Sequence, residues 1–403
     1  MSGWREELGR SLSRRRAGGL RRRLVAVDRC GGVVHRRGRG LVNFASNDYL
    51  ALSGHAKLAE AAAAAARAEG VGSGASRLVS GHLERHAALE ARFASFKHAE
   101  AALLLPTGYM ANLAVLTALA APGDLVCLDK LNHASLIDAA RASGATVRTF
   151  GHLGYDKLDR LLARHADQAP GDVDADRRPR RFIVTDSVFS MDGDVADLRA
   201  LVALRDRHDA ILIADEAHGT GVLGAAGTGL AELQGVAGRV DVTISTASKA
   251  LGSVGGIVTG ERVVIETLVN EARSFVYTTA APPPQVAAID AALDVIGEEP
   301  WRREATAANA GRLRAGLVAA GWPVADDPTP IVPVLVGEAG AATALSERLE
   351  GAGMFVPAIR PPTVPPGTAR LRISLRADHA ADQIDRLIDA IGAPATASAT
   401  AEP

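Results

Sequence analysis

The chain has 403 residues, enough for one large domain and a smaller one with ample core. Its composition, 47% hydrophobic and 23% charged with a formal net charge of -1, lacks the basic excess of a nucleic-acid binder. No apolar run is long enough to cross a bilayer, none follows the N-terminal arginines as a secretory signal would, and two cysteines make neither a disulfide framework nor a zinc pattern. A cytoplasmic protein is expected.

Residues 1–25 carry many arginines around GGLRRRLV and read as a solvated, partly helical arm, or as the source of one arginine for an anionic substrate. LVNFASNDYL (41–50) is a short apolar strand followed by a polar turn on Ser46, Asn47 and Asp48, residue types whose side chains bond to nearby backbone. The alanine run 55–69 predicts a helix. It stops at GVGSGASRLVSGH (70–82), whose four glycines suit a backbone that turns sharply and approaches a ligand or another subunit. Residues 83–99 predict another amphipathic helix.

Strand and helix then alternate. AALLL (101–105) reads as a buried strand and 107–120 as a helix led by Gly108, Tyr109 and Met110, whose free N–H groups can bind an anion. LVCLD (125–129) is a strand holding a core Cys127, His133 stands near the next helix start, and TVRTF (146–150) is a strand. The polar loop 171–180 leads into RFIVTDSVFSMDG, AILIADEAHGTGVLG and DVTISTASKALGSVGG. The repeated alternation argues for a mostly parallel sheet with helices on both faces. Further on, YTTAAPPPQ reads as a boundary because three prolines in a row disfavour helix, and strands around a proline-rich loop (353–377) precede a last helix and a frayed tail. The predicted division is an N-terminal arm (1–50), a large domain (51–283), a small C-terminal domain (284–395) and a tail (396–403).

Three apolar runs in the centre each end in polar residues: Asp186, Ser187 and Ser190; Asp215 and His218; Thr246, Ser248 and Lys249. Ligands gather at the carboxyl ends of parallel strands. Lys249, among small residues, has room for a bulky attached group and suits a Schiff base with a carbonyl compound; a structural or surface lysine is the competing reading. Asp215 follows four apolar residues, and a carboxylate at such depth needs a partner. A protonated pyridine nitrogen is one, and pyridoxal phosphate chemistry asks for such a lysine and such a carboxylate. His218 is placed for the ring hydroxyl, Gly108, Tyr109, Thr246 and Ser248 for the phosphate, and His133 either for stacking on the ring or as a helix cap. Arg360, in a loop bounded by prolines, is a candidate for a substrate carboxylate. No compact set of three metal ligands is evident.

Taken together, SNDYL (46–50), GSGASRLVSG (72–81), NHASLIDA (132–139), VFSMDGDVA (188–196), DEAHGTGVLG (215–224), TASKALGSVGG (246–256) and AIRPPTVPPGTARLR (358–372) closely resemble the α-oxoamine synthases, a branch of the fold-type I pyridoxal phosphate enzymes. The resemblance implies an α/β, aspartate aminotransferase-like fold with a large, mostly parallel-sheet domain and a smaller α+β C-terminal domain. It implies that Lys249 carries the cofactor, Asp215 partners the ring nitrogen, His218 sits beside the ring oxygen, His133 stacks on the ring, and Ser190 and Thr246 contact the cofactor. Tyr109 stands where the family often has Phe, and His82 where it often has Tyr or Thr. Asn47, Arg360 and Thr363 match residues around the amino-acid substrate, and Arg21, beside Arg22 and Arg23, one facing the acyl substrate. A homodimer with active sites at the interface is implied, with Thr278 and Thr279 reaching the neighbour's phosphate.

The last motif favours the branch that condenses L-alanine with pimeloyl-CoA, or its acyl-carrier-protein form, in biotin biosynthesis. Siblings joining glycine to acetyl-CoA or succinyl-CoA, or serine to a long-chain acyl-CoA, share the core. A non-catalytic binding protein of this fold is the alternative from another class, and the joint presence of Lys249, Asp215, His218 and His133 argues against it.

Overall fold

The computed structural model describes residues 3–18, 21–22, 24–166 and 178–394. Parts of the arginine arm (including Arg23) and of the 171–180 loop, and the whole 396–403 tail, lie outside them. Fourteen strands are named in chain order: β1 Asp28–Cys30, β2 Val33–Arg36, β3 Arg39–Asn43, β4 Ala101–Leu105, β5 Leu125–Asp129, β6 Thr146–Phe150, β7 Arg181–Asp186, β8 Ile211–Asp215, β9 Val242–Thr246, β10 Gly256–Gly260, β11 Ile331–Gly337, β12 Met354–Phe355, β13 Ala358–Ile359 and β14 Ala369–Ser374.

The centre is a seven-stranded sheet ordered β4-β10-β9-β8-β7-β5-β6. β10 runs antiparallel to both neighbours, and the other pairs are parallel. Both faces are covered, so the strands read as continuous apolar runs rather than as an alternating pattern. The period of two still decides which core each residue enters. Leu104, Cys127, Ile183 and Leu212 join one buried cluster, while Leu103, Val126, Val184 and Ile213 join the other.

A third cluster, with Phe44, Leu313, Leu317, Ile373 and Ile384, lies under the antiparallel sheet β11-β14-β13. The first three strands belong with this part of the molecule, because β3 pairs in parallel with β12. The proline run also behaves differently from the expectation. A helix starts at Pro283, with Pro282 as its cap, and its residues Val286, Ile289 and Leu293 enter the same core as Ile183. Proline in a first helical turn gives up an N–H that has no intrahelical partner anyway, so the run opens a helix. Among the described residues no helix is long and apolar enough to cross a membrane.

Candidate active site

The parallel strands deliver their last residues to one edge of the sheet. Asp186 ends β7 and Asp215 ends β8, and the two are direct register partners. Thr246 ends β9, and Lys249 follows in the turn after it. A cavity of about 260 Å³ forms there, lined by Gly108, Tyr109, His133, Asp186, Asp215, His218, Thr246, Ser248 and Lys249 among others. A second, more open hollow of about 590 Å³ shares Ser248 and Lys249 and is walled by Asn47, Asp48, Gly252 and Gln285.

One end of the cavity is built from a helix start. Thr107 caps the helix Gly108–Leu119, its hydroxyl accepting the Met110 N–H at 3.2 Å, which leaves the N–H groups of Gly108 and Tyr109 without intrahelical partners. The helix can sit this close to β9 because residue 108 has no side chain: a Cβ there would lie 3.3 Å from Thr246 Oγ1. The Thr246 hydroxyl donates to the Gly255 carbonyl (2.9 Å) and lies 2.8 Å from Ser248 Oγ. Tyr109 turns its hydroxyl away, donating to Asp138 at 2.6 Å.

Asp215 defines the opposite end. It is buried, and its two oxygens accept from the Ala217 N–H and from Asn112 Nδ2, both at 2.8 Å. Burial, then the charge of Asp215, pushes Asp186 well above the usual carboxylate range, while the His133 N–H donates to it at 2.7 Å. His133 is the cap of the helix Ala134–Ala142, as one of its two readings expects, and it also lines the cavity. His218 places Nδ1 2.7 Å from the Tyr49 hydroxyl. Burial, helped by the charges of Lys249 and Arg372, holds its pKa well below the ordinary value and keeps it neutral.

The side-chain amine of Lys249 has neither a hydrogen bond nor an ion pair among the described residues; only its carbonyl is engaged, accepting from the Gly252 N–H at 3.0 Å. Its pKa is lowered by burial, against the opposing pull of Asp215 and Asp186. The site thus offers an amine of reduced basicity between an N–H-rich end and a carboxylate. This donor and acceptor set matches an aromatic aldehyde that carries a phosphate at one end and a basic ring nitrogen at the other.

Not every expected residue comes to this cavity. Arg360 lines a separate groove with Arg36, Arg37, Arg39 and Glu350, because the proline-rich loop turns it toward β2 and the helix Ala339–Gly351. Thr363 is exposed on the same loop, its N–H donating to the Arg360 carbonyl. Arg21 is exposed and does not line the cavity. Thr278 is half-buried beside the short bridge between Ser76 and Thr279.

A second arginine, not singled out in the sequence analysis, is buried near the cavity. Arg372, on β14, is 6% exposed and donates to Asn47 Oδ1 (3.1 Å), Ser374 Oγ (2.9 Å) and the Ser190 carbonyl. It has no carboxylate partner among the described residues, yet its charge acts on both Lys249 and His218. All six residues of ARLRIS are buried, and two arginines alternating with apolar residues in such a strand are the sequence signal that marks it. Asn112, a lone amide inside an apolar helix, is a comparable signal.

A seven-stranded sheet of this order, with a lysine and a carboxylate converging at its edge, defines a class of protein. The chain belongs to the aminotransferase class I and II family, whose model matches residues 39–391. Within that class it is similar to the 8-amino-7-oxononanoate synthase of Anaeromyxobacter dehalogenans, with 48% identity over 387 residues, 96% of this chain and 94% of that one. Among solved structures it is similar to a serine palmitoyltransferase from S. paucimobilis carrying a PLP–myriocin aldimine (TM-score 0.87, 28% identity, 96% of each chain). The 8-amino-7-oxononanoate synthase of Francisella tularensis also matches (TM-score 0.74, 28% identity, 87% of this chain and 96% of that one).

Proposed function

We propose that the chain is a pyridoxal phosphate-dependent acyltransferase that condenses L-alanine with a pimeloyl thioester, releasing the thiol and carbon dioxide and forming 8-amino-7-oxononanoate for biotin synthesis. The observation that carries this reading is the half-buried Lys249, whose amine has no hydrogen bond or ion pair among the described residues, lining one cavity with Asp215 and the helix start at Gly108. Withdrawing an unpaired amine from water is costly, so a site that holds one beside a buried carboxylate is built for a ligand that supplies the missing groups. When bound, pyridoxal phosphate supplies a carbonyl carbon for an amine and a protonated ring that takes up electrons.

The residues divide the work as follows. The amine of Lys249, whose pKa burial lowers, binds the cofactor's carbonyl and then moves the proton at the α-carbon of alanine. Asp215, its carboxylate fixed by Ala217 and Asn112, holds a proton on the ring nitrogen. The N–H groups of Gly108 and Tyr109, with Ser248, receive the phosphate, and Thr246 braces Ser248. Neutral His218, held by Tyr49, would face the ring oxygen, and His133 would cover one face of the ring. We assign the alanine carboxylate to Arg372 and Asn47 rather than to Arg360 and Thr363, on the strength of burial and of proximity to Lys249.

A second copy of the chain completes the arrangement in this reading. The glycine-rich stretch and the 277–280 segment are tied by the Ala280 N–H to the Ala75 carbonyl, and they expose Val71 (81%), Val79 (80%) and Tyr277 (74%). Large apolar residues this exposed mark an interaction surface.

The test is an absorbance spectrum of the purified protein with pyridoxal phosphate, followed by L-alanine and a panel of acyl-CoAs. A visible Schiff-base band that Lys249→Ala abolishes, with carbon dioxide released from alanine and pimeloyl-CoA, is expected. Faster turnover of glycine with a short acyl-CoA would move the chain to a sibling activity, and absence of any band would sink the enzyme reading.

A further inference from the structure

We infer that Asn112 and Ser135 form a relay that sets the orientation of Asp215 and the tautomer of His133 together; its role as a positioning device rests on the cofactor reading given above. Asn112 stands in the first turns of the helix Gly108–Leu119 and is 2% exposed. Its Nδ2 donates to Asp215 Oδ2 at 2.8 Å and to Ser135 Oγ at 2.7 Å. A carboxylate only accepts, so the amide nitrogen has to face it, and both amide hydrogens are then committed.

The consequence passes to Ser135. Its oxygen accepts from Asn112 and keeps its own hydrogen to give, and His133 Nδ1 lies 2.7 Å away. The Ser135 backbone N–H donates to the same nitrogen at 3.3 Å. Nδ1 is therefore an acceptor twice over, and the pattern places the ring proton on Nε2. The carboxylate that ends β8 and the imidazole that begins the helix Ala134–Ala142 are locked through one amide and one hydroxyl.

A packing role does not account for the amide. Asn112 Oδ1 is buried without a hydrogen-bond partner among the described residues, an arrangement native interiors mostly avoid. A leucine of similar size would carry no such orphan. What leucine cannot provide is the pair of donors, and both donors point to residues that line the cavity.

The test uses the full-length apoprotein with ¹⁵N-labelled histidine, the His133 signals being identified from a His133→Gln spectrum. Long-range ¹⁵N–¹H spectra of the unsubstituted protein are expected to show His133 as the Nε2–H tautomer alone. Asn112→Leu alters a residue without a hydrogen bond to His133, yet it is expected to bring in the Nδ1–H form, because a Ser135 oxygen freed of its donor accepts from the ring. Ser135→Ala removes the oxygen that would accept from the ring and keeps the backbone N–H on Nδ1, so that variant is expected to stay Nε2–H, as is Ser135→Thr. In the loaded enzyme, Asn112→Leu should lower kcat and leave KM for alanine unchanged. A folded Asn112→Leu protein in which His133 stays wholly Nε2–H overturns the relay. The apoprotein spectra do not depend on the cofactor, so a missing Schiff-base band would count against the function and leave the relay standing.

Discussion

Arg372 and Asn47 meet at 3.1 Å although 325 positions separate them in the chain. The contact joins a strand near the C-terminus to the polar turn of SNDYL, and Tyr49 extends it to His218. A buried guanidinium with only neutral partners is therefore held beside Lys249 by residues from both ends of the sequence.

If Arg372 receives the amino-acid carboxylate, Arg372→Gln removes a charged hydrogen-bond pair worth about 1.5–3 kcal/mol. Steady-state kinetics with L-alanine varied should show kcat/KM falling roughly ten- to a hundredfold. Arg360→Gln, on the separate groove, is expected to change it by less than about twofold, as for an exposed charge. Equal losses in the two variants would return the role to Arg360.

Asp215→Asn keeps the size of the side chain and removes its charge. A neutral amide no longer holds a proton on a ring nitrogen, so kcat should drop about 10²–10⁴-fold, the span for losing a positioned proton-holding group. Cofactor titrated into the variant and followed by absorbance separates this from failure to bind. Near-normal turnover would remove Asp215 from the chemistry.

His152 supplies a prediction about stability. Burial alone would lower its pKa, but hydrogen bonds to Asp129 (3.0 Å) and Asp194 (2.6 Å) outweigh burial and raise it to about 10. A pKa raised on folding contributes stability that is complete below the unfolded value, 6.5, and is lost as pH climbs to about 10. Urea midpoints of the unsubstituted protein and His152→Gln should differ most near the lower of these pH values, and the gap should close toward the upper. A gap that is constant with pH would mean that the imidazole is not charged.

Gly252 lies in the turn after Lys249 with φ +65°, and a Cβ there would come within 2.5 Å of backbone atoms of Leu52 and Ser53. Gly252→Ala combines left-handed backbone strain of about 1–2 kcal/mol with overpacking of about 1–3 kcal/mol. Denaturant unfolding should register a loss in that combined range, and activity should fall because the SNDYL turn is displaced. A stability loss below about 1 kcal/mol would show that the turn yields cheaply.

The central strands were legible because each buried run stops at a polar residue, and Asp215 and Thr246 sit where their sequence positions predict. His133 was legible for a similar reason, since a histidine before ASLIDA starts a helix. Arg372 was not: its place depends on a strand pairing and on a turn at the other end of the chain. The proline loop pointed to Arg360 because proline restricts a loop, but restriction carries no information on where the loop aims. Asn112 escaped notice because a single amide in an apolar helix gains its meaning only from Asp215 and Ser135, which other segments supply.

The parallel pairing of β3 with β12 makes residues 28–43 part of the C-terminal sheet's neighbourhood. The polypeptide therefore leaves that unit, builds the seven-stranded sheet, and returns. Asn47 follows β3 directly and Arg372 lies on β14, so both halves of the proposed carboxylate grip hang from the returning unit, while Lys249 and Asp215 hang from the excursion. A swing of the smaller unit would carry the grip as one body toward or away from the lysine, and the clamp would open without its two jaws coming apart.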